Sequence, residues 1–181
     1  MIFSLFRRKS QRDTISALYG MIVAQARLPV FYREYAVADT VNGRFDLIVL
    51  HLVLVLDRLT VDGELDPVGQ AVFDRFCQDM DDNLREMGIS DLKVPKEMKR
   101  MGQAFYGRSK AYIEALGDRR ALVSALSRNI YGGAPSAFDA APRLADYVIA
   151  AAGMLKAQDA AAVAAGEVRF PDPARIPASA A

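Results

Sequence analysis

Leu47–Leu56, LIVLHLVLVL, is the longest apolar run of the chain, and acids close it at both ends, Asp46 and Asp57. A helix needs about 20 apolar residues to cross a bilayer, and this run falls well short. A segment so apolar, yet too short to span, belongs inside the protein. Its valines suit a buried strand. Its leucines, and the length of the surrounding segment from residue 41 to 59, favour a helix instead. That helix is apolar nearly all round, so it must be packed on several sides. Asp39 or Thr40 can cap its start.

The rest of the chain supplies helices to surround it. Ile15, Leu18, Tyr19, Ile22, Val23 and Ala26 form an amphipathic stripe over residues 13–27. Pro29 suits the first turn of a short helix to Tyr35. VDGELDP, residues 61–67, reads as a loop, with no hairpin or alternating strand. Asp66 as cap and Pro67 in the first turn open a helix over 67–87, which Gly88 ends. Further helices are predicted over 94–116, 119–130 and 137–157, the last with an alanine-rich extension to 165 and a start that Pro142 can delay. Residues 1–12 read as a flexible leader and 166–181 as an extended proline-rich tail. The expected fold is all-α: a single irregular or orthogonal bundle of about seven helices over 13–165, with a central apolar helix.

Composition limits the chemistry. The net charge of +1 provides no global field for nucleic acid, so sequence-specific nucleic acid binding is not expected. One cysteine, Cys77, excludes an internal disulfide, and one histidine with one cysteine cannot supply a zinc site. No nucleotide-binding glycine loop or serine nucleophile motif occurs. In MIFSLFRRKSQRD the bases follow the apolar residues, the reverse of a secretory signal. Beside the plain reading of a frayed terminus stands a membrane contact through Ile2, Phe3, Leu5 and Phe6, with the bases meeting anionic lipid.

Four features could carry function. His51 could be a haem ligand or a general base, or simply a buried histidine bonded to a neighbour. Asp79, Asp82 and Glu86 share one side of a helix, where they could hold a metal or form a solvated acidic face. An enzyme using His51, Asp79 and Asp82, or a haem carrier, therefore remains an alternative. From Asp62 to Asp91 nine acids oppose two bases, and from Lys93 to Arg128 nine bases oppose three acids. Either the acidic and basic helices pair across their surfaces, or each recruits a partner. Met98, Met101, Phe105, Tyr106 and Tyr112 keep helical spacing, as core or as an adaptable groove.

Two blocks carry a family resemblance. One is LYGMIVAQARLPVFYREYAVADTVNGRFDLIVLHLVLVLDRL, residues 18–59; the other is FCQDMDDNLREMGISDLKVPKEMKRMGQAFYGR, residues 76–108. Gly166, Phe170 and Pro171 close the match. Together they resemble the ubiquinol–cytochrome c chaperones, in what looks like a bacterial form without the long transit sequence. The resemblance implies a non-enzymatic assembly chaperone without a cofactor. Its client would be newly made cytochrome b, during biogenesis of respiratory complex III. It also implies contact with the ribosome or a small partner protein, and a cytoplasmic location, peripheral at the inner membrane. The charged residues of the matched blocks are then the expected contacts: Arg27, Arg44, Asp79, Asp82, Arg85, Glu86, Lys96, Lys99 and Arg108.

Overall fold

The computed structural model describes residues 2–134 and 137–177, with side chains from 12 to 134 and from 138 to 177. Its elements run α1 (Ile2–Ala26), α2 (Pro29–Arg33), α3 (Val41–Arg58), β1 (Thr60–Val61), β2 (Glu64–Leu65), α4 (Pro67–Glu86), α5 (Val94–Ala115), α6 (Arg119–Asn129), α7 (Ala137–Ala157) and α8 (Ala160–Ala164), ending in a 3₁₀ turn at Pro173–Arg175. Helix α3 is the hub and packs against α1, α4, α5 and α7. Leu47 through Leu56 are all buried, as an all-round apolar helix requires. Removing one such leucine side chain typically costs about 2–5 kcal/mol.

Local signals set the helix ends. Thr40 caps α3, its hydroxyl accepting the Gly43 N–H at 3.1 Å. Asp66 does the same for α4, accepting from Gly69 N–H at 2.6 Å. At the end of α4, Gly88 takes φ +80°, and the Ile89 N–H returns to the Leu84 carbonyl at 3.0 Å. That is the left-handed glycine cap which spares a side chain from strain. Gly43 has a different reason. A Cβ there would lie 2.0 Å from the Ala38 carbonyl oxygen, so the strap before α3 can pass only over a glycine.

Three expectations need correcting. VDGEL forms a small antiparallel hairpin, with Thr60 opposite Leu65 and Val61 opposite Glu64. Asp62 and Gly63 take φ +52° and +83°. An Asp-Gly pair with both residues left-handed makes the tight turn that matches strand twist. Helix α1 begins at Ile2, so residues 2–12 continue the first helix instead of forming a separate leader. Pro142 lies inside α7 and does not delay its start at Ala137.

The described part of the tail runs without α-helix after Gly166 to the 3₁₀ turn at Pro173–Arg175, and it is docked. Val168, Pro171 and Pro173 are buried. The Tyr35 hydroxyl donates to the Pro173 carbonyl at 2.7 Å. Residues 178–181 fall outside the described part of the tail.

Candidate functional site

The lone histidine is part of the scaffold. His51 is fully buried, with Nδ1 2.7 Å from the Leu47 carbonyl and Nε2 2.8 Å from the Tyr147 hydroxyl. A carbonyl only accepts, so Nδ1 carries the proton and Nε2 accepts from Tyr147. Gln25 Nε2 donates in turn to the Tyr147 oxygen at 3.0 Å. The rings of Phe31 and Phe170 stand edge-on to His51 at 5.4 Å each. Burial keeps the imidazole neutral, bringing its pKa down to about 4, with the Leu47 bond opposing only in part. Both ring nitrogens are used inside the fold, which is the plainer of the readings open from sequence.

Two of the expected contact residues also turn inward. Asp79 accepts the Tyr19 hydroxyl at 2.8 Å and lies 3.8 Å from Arg75. Arg108 reaches the buried Asp46 at 2.8 Å and covers the Phe45 ring. Burial pushes the Asp46 carboxyl up to about 6, while Arg108 pulls the other way. At neutral pH the pair is therefore still ionised. The signal for it was an acid at the edge of the longest apolar run. Among the described residues no group of three or more His, Cys, Asp or Glu could hold a metal, so Asp79, Asp82 and His51 are not brought together.

The other expected residues form two open sites. The first is the corner between α4 and α5. Asp82, Arg85 and Glu86 are exposed near the end of α4, and Lys96 and Lys99 near the start of α5. Between them the linker exposes apolar side chains, Leu92 by 94% and Met87 by 56%. Tyr106 is also exposed, while Phe105 and Tyr112 of the same stripe are core and Met98 and Met101 pack half-buried against it. The stripe is thus mainly core, with Tyr106 outside it.

The charges at this corner pair only within a helix or with the linker. Among the described residues no ion pair joins α4 to α5. Arg85 instead holds Asp81 at 2.6 Å and pairs with Asp91 of the linker. Acids gather at the C-terminal end of α4 and bases at the N-terminal end of α5. Each group sits at the helix pole of its own sign, the unfavourable arrangement for a helix dipole. The Lys93 cap of α5 also makes no side-chain bond to the helix. Local stability would favour the opposite distribution.

The second open site is a cleft of about 520 Å³ where α1 ends, α2 runs and α3 begins. Arg27, Pro29, Tyr32, Arg33, Asp39 and Arg44 line it. Arg27 and Arg44, distant in the sequence, meet here. Arg33 and Tyr32 were not expected; their signal was the short PVFYR helix, whose five residues place both beside Arg27. Asp39 accepts from Arg44 Nε at 2.7 Å, so it pairs with arginine and leaves the capping of α3 to Thr40.

With the fold in place, three comparisons bear on it. The sequence model of a family described as "Ubiquinol-cytochrome C chaperone" matches residues 33–170. "Ubiquinol-cytochrome-c reductase complex assembly factor 1" of Xenopus laevis is 25% identical over 115 residues, 62% of this chain. That match spans only 58% of the frog protein's length. The crystal structure of the Cbp3 homolog from Brucella abortus has the same fold, with a TM-score of 0.86 and 37% identity, over 98% of this chain and 100% of that one.

Proposed function

We propose a function from one premise: the chain belongs to the ubiquinol–cytochrome c chaperone family. It assists assembly of ubiquinol–cytochrome c reductase, respiratory complex III, and works by binding instead of by covalent chemistry. Its client is newly made cytochrome b. The relative named as an assembly factor of that complex, and the fold shared over the whole length of the Brucella protein, support this reading.

The observation that carries the choice of surface is the α4–α5 corner, with Leu92 and Met87 exposed between acids and bases that face the wrong helix poles. An apolar centre ringed by charge is how a protein surface grips another chain, and methionine adapts to varied apolar shapes. Client release follows if haem-loaded cytochrome b buries the gripped segment, because the equilibrium shifts with differential affinity. The protein works in the cytoplasm at the inner membrane surface. Ile2, Phe3, Leu5 and Phe6, whose side chains lie outside the described residues, form with the bases that follow them a sequence suited to an interfacial contact.

Capture from cells labelled during synthesis tests this. The tagged protein should enrich new cytochrome b over an unrelated helical protein, and deletion of its gene should lower complex III. Equal capture by both proteins, with complex III unchanged on deletion, would reject the reading.

A further inference from the structure

The arginine cleft gathers more positive charge than the fold uses. Three guanidinium groups and one carboxylate line it, which leaves two positive charges uncompensated. The neighbouring acids are already engaged. Glu34 is held by Arg143 at 2.7 Å, and Asp39 takes the Nε proton of Arg44. That bond engages Nε, and among the described residues the terminal nitrogens of Arg44 take no hydrogen bond or ion pair. Arg27 and Arg33 make no ion pair among the described residues.

The walls are set before any ligand arrives. The Tyr32 hydroxyl donates to the Ala26 carbonyl at 3.3 Å, tying α2 back to the end of α1. Pro29 stiffens the first turn of α2, and Thr40 caps α3 on the other side. Like charges held together on a fixed frame repel one another unless an anion joins them. Guanidinium forks match the oxygens of phosphate in particular.

We propose that this cleft binds a phosphate monoester, with the phosphate among Arg27, Arg33 and the terminal nitrogens of Arg44, and the organic part against Tyr32 and Pro29. Charge decides between anions. A phosphate monoester carries about −1.5 to −2 near neutral pH, close to the two positive charges it would meet, whereas one carboxylate would leave half of them. Size points to an attached organic group. A cleft of about 520 Å³ lies within the small-molecule range and far exceeds a bare phosphate. The same headgroup chemistry can come from a soluble phosphate ester or from a phosphomonoester lipid.

Calorimetric titration of the full chain with glycerol 3-phosphate, and flotation with phosphatidylcholine vesicles with or without phosphatidic acid, separate the sources. Saturable glycerol 3-phosphate binding that falls about tenfold for each arginine lost in Arg27→Gln and Arg33→Gln supports the site with a soluble ligand. Flotation only with phosphatidic acid, abolished by the double variant, supports it with a lipid. Lys96→Gln/Lys99→Gln, which alters the other basic surface, should leave both readouts unchanged. No binding in either arm overturns the proposal. So does binding that the double variant retains, or a hexaglutamate peptide that binds the cleft more tightly than the phosphate ester does.

Discussion

The His51 chain and the α4–α5 corner are both polar, and they obey opposite rules. Around His51 each polar atom has its partner: Gln25 to Tyr147, Tyr147 to His51, His51 to Leu47. The first two bonds tie α1, α7 and α3 together, the third lies within α3, and Phe170 brings in the tail. At the corner, charges stand without partners across the helices and against the helix poles, with Leu92 and Met87 bare between them. Folding explains the first arrangement and leaves the second unexplained. The contrast marks which polar groups hold the protein together and which face something else.

The sharpest way to break that contrast is at Gly43. Gly43→Ala drives a methyl group into the Ala38 carbonyl. It should cost about 3 kcal/mol in urea denaturation, at the upper end for overpacking. A cost near zero would mean that the strap before α3 is loosely placed.

Tyr147→Phe comes next. It removes the hydroxyl that serves both His51 and Gln25, leaving a buried ring nitrogen without a donor. The expected loss is about 1–3 kcal/mol by the same measurement.

The third test uses pH. His51 has its folded pKa depressed to about 4, below the ordinary 6.5. Its contribution is complete above the unfolded value and is lost as pH falls toward 4, about 2 kcal/mol between pH 7 and pH 5. Asp46 has its pKa raised to about 6 from 3.8. The folded state then holds the extra proton, so this group adds about 1 kcal/mol over the same interval. The two oppose each other. The wild type should lose less than about 1 kcal/mol on going from pH 7 to pH 5, and Asp46→Asn should expose the full His51 loss. Equal slopes for wild type and variant would contradict this balance.

The smallest effect on stability belongs to the corner. Leu92→Ser and Lys96→Glu/Lys99→Glu should each change stability by no more than about 0.5 kcal/mol, as exposed sites do. Both should nevertheless weaken capture of the client. A large loss of stability would move this corner into the same class as His51.

Much of the fold was legible because its signals are local. Apolar runs, Thr40 and Asp66 as caps, and Gly88 as a stop each act within a few residues. The hairpin was missed although Asp62-Gly63 is a strong turn signal, because two-residue strands are too short to alternate. The start of α1 was missed because residues 7–12 contain no apolar residue to extend the stripe toward the N-terminus. The sites were less legible. Asp79 and Arg108 look like surface charges in sequence, and only the positions of Tyr19 and Asp46 in space turn them inward. Arg44 joins Arg27 and Arg33 through a chain reversal that no spacing reveals.

The measurement closest to the central claim is photocrosslinking in cells from two positions at opposite ends of α4. Leu92 follows its last turn. Asp62 is in the hairpin before its first, and a helix of 20 residues is about 30 Å long. A crosslinker at Leu92 should join newly made cytochrome b, and one at Asp62 should not. Crosslinking to that client from Asp62 but not from Leu92, or from neither, would contradict the account.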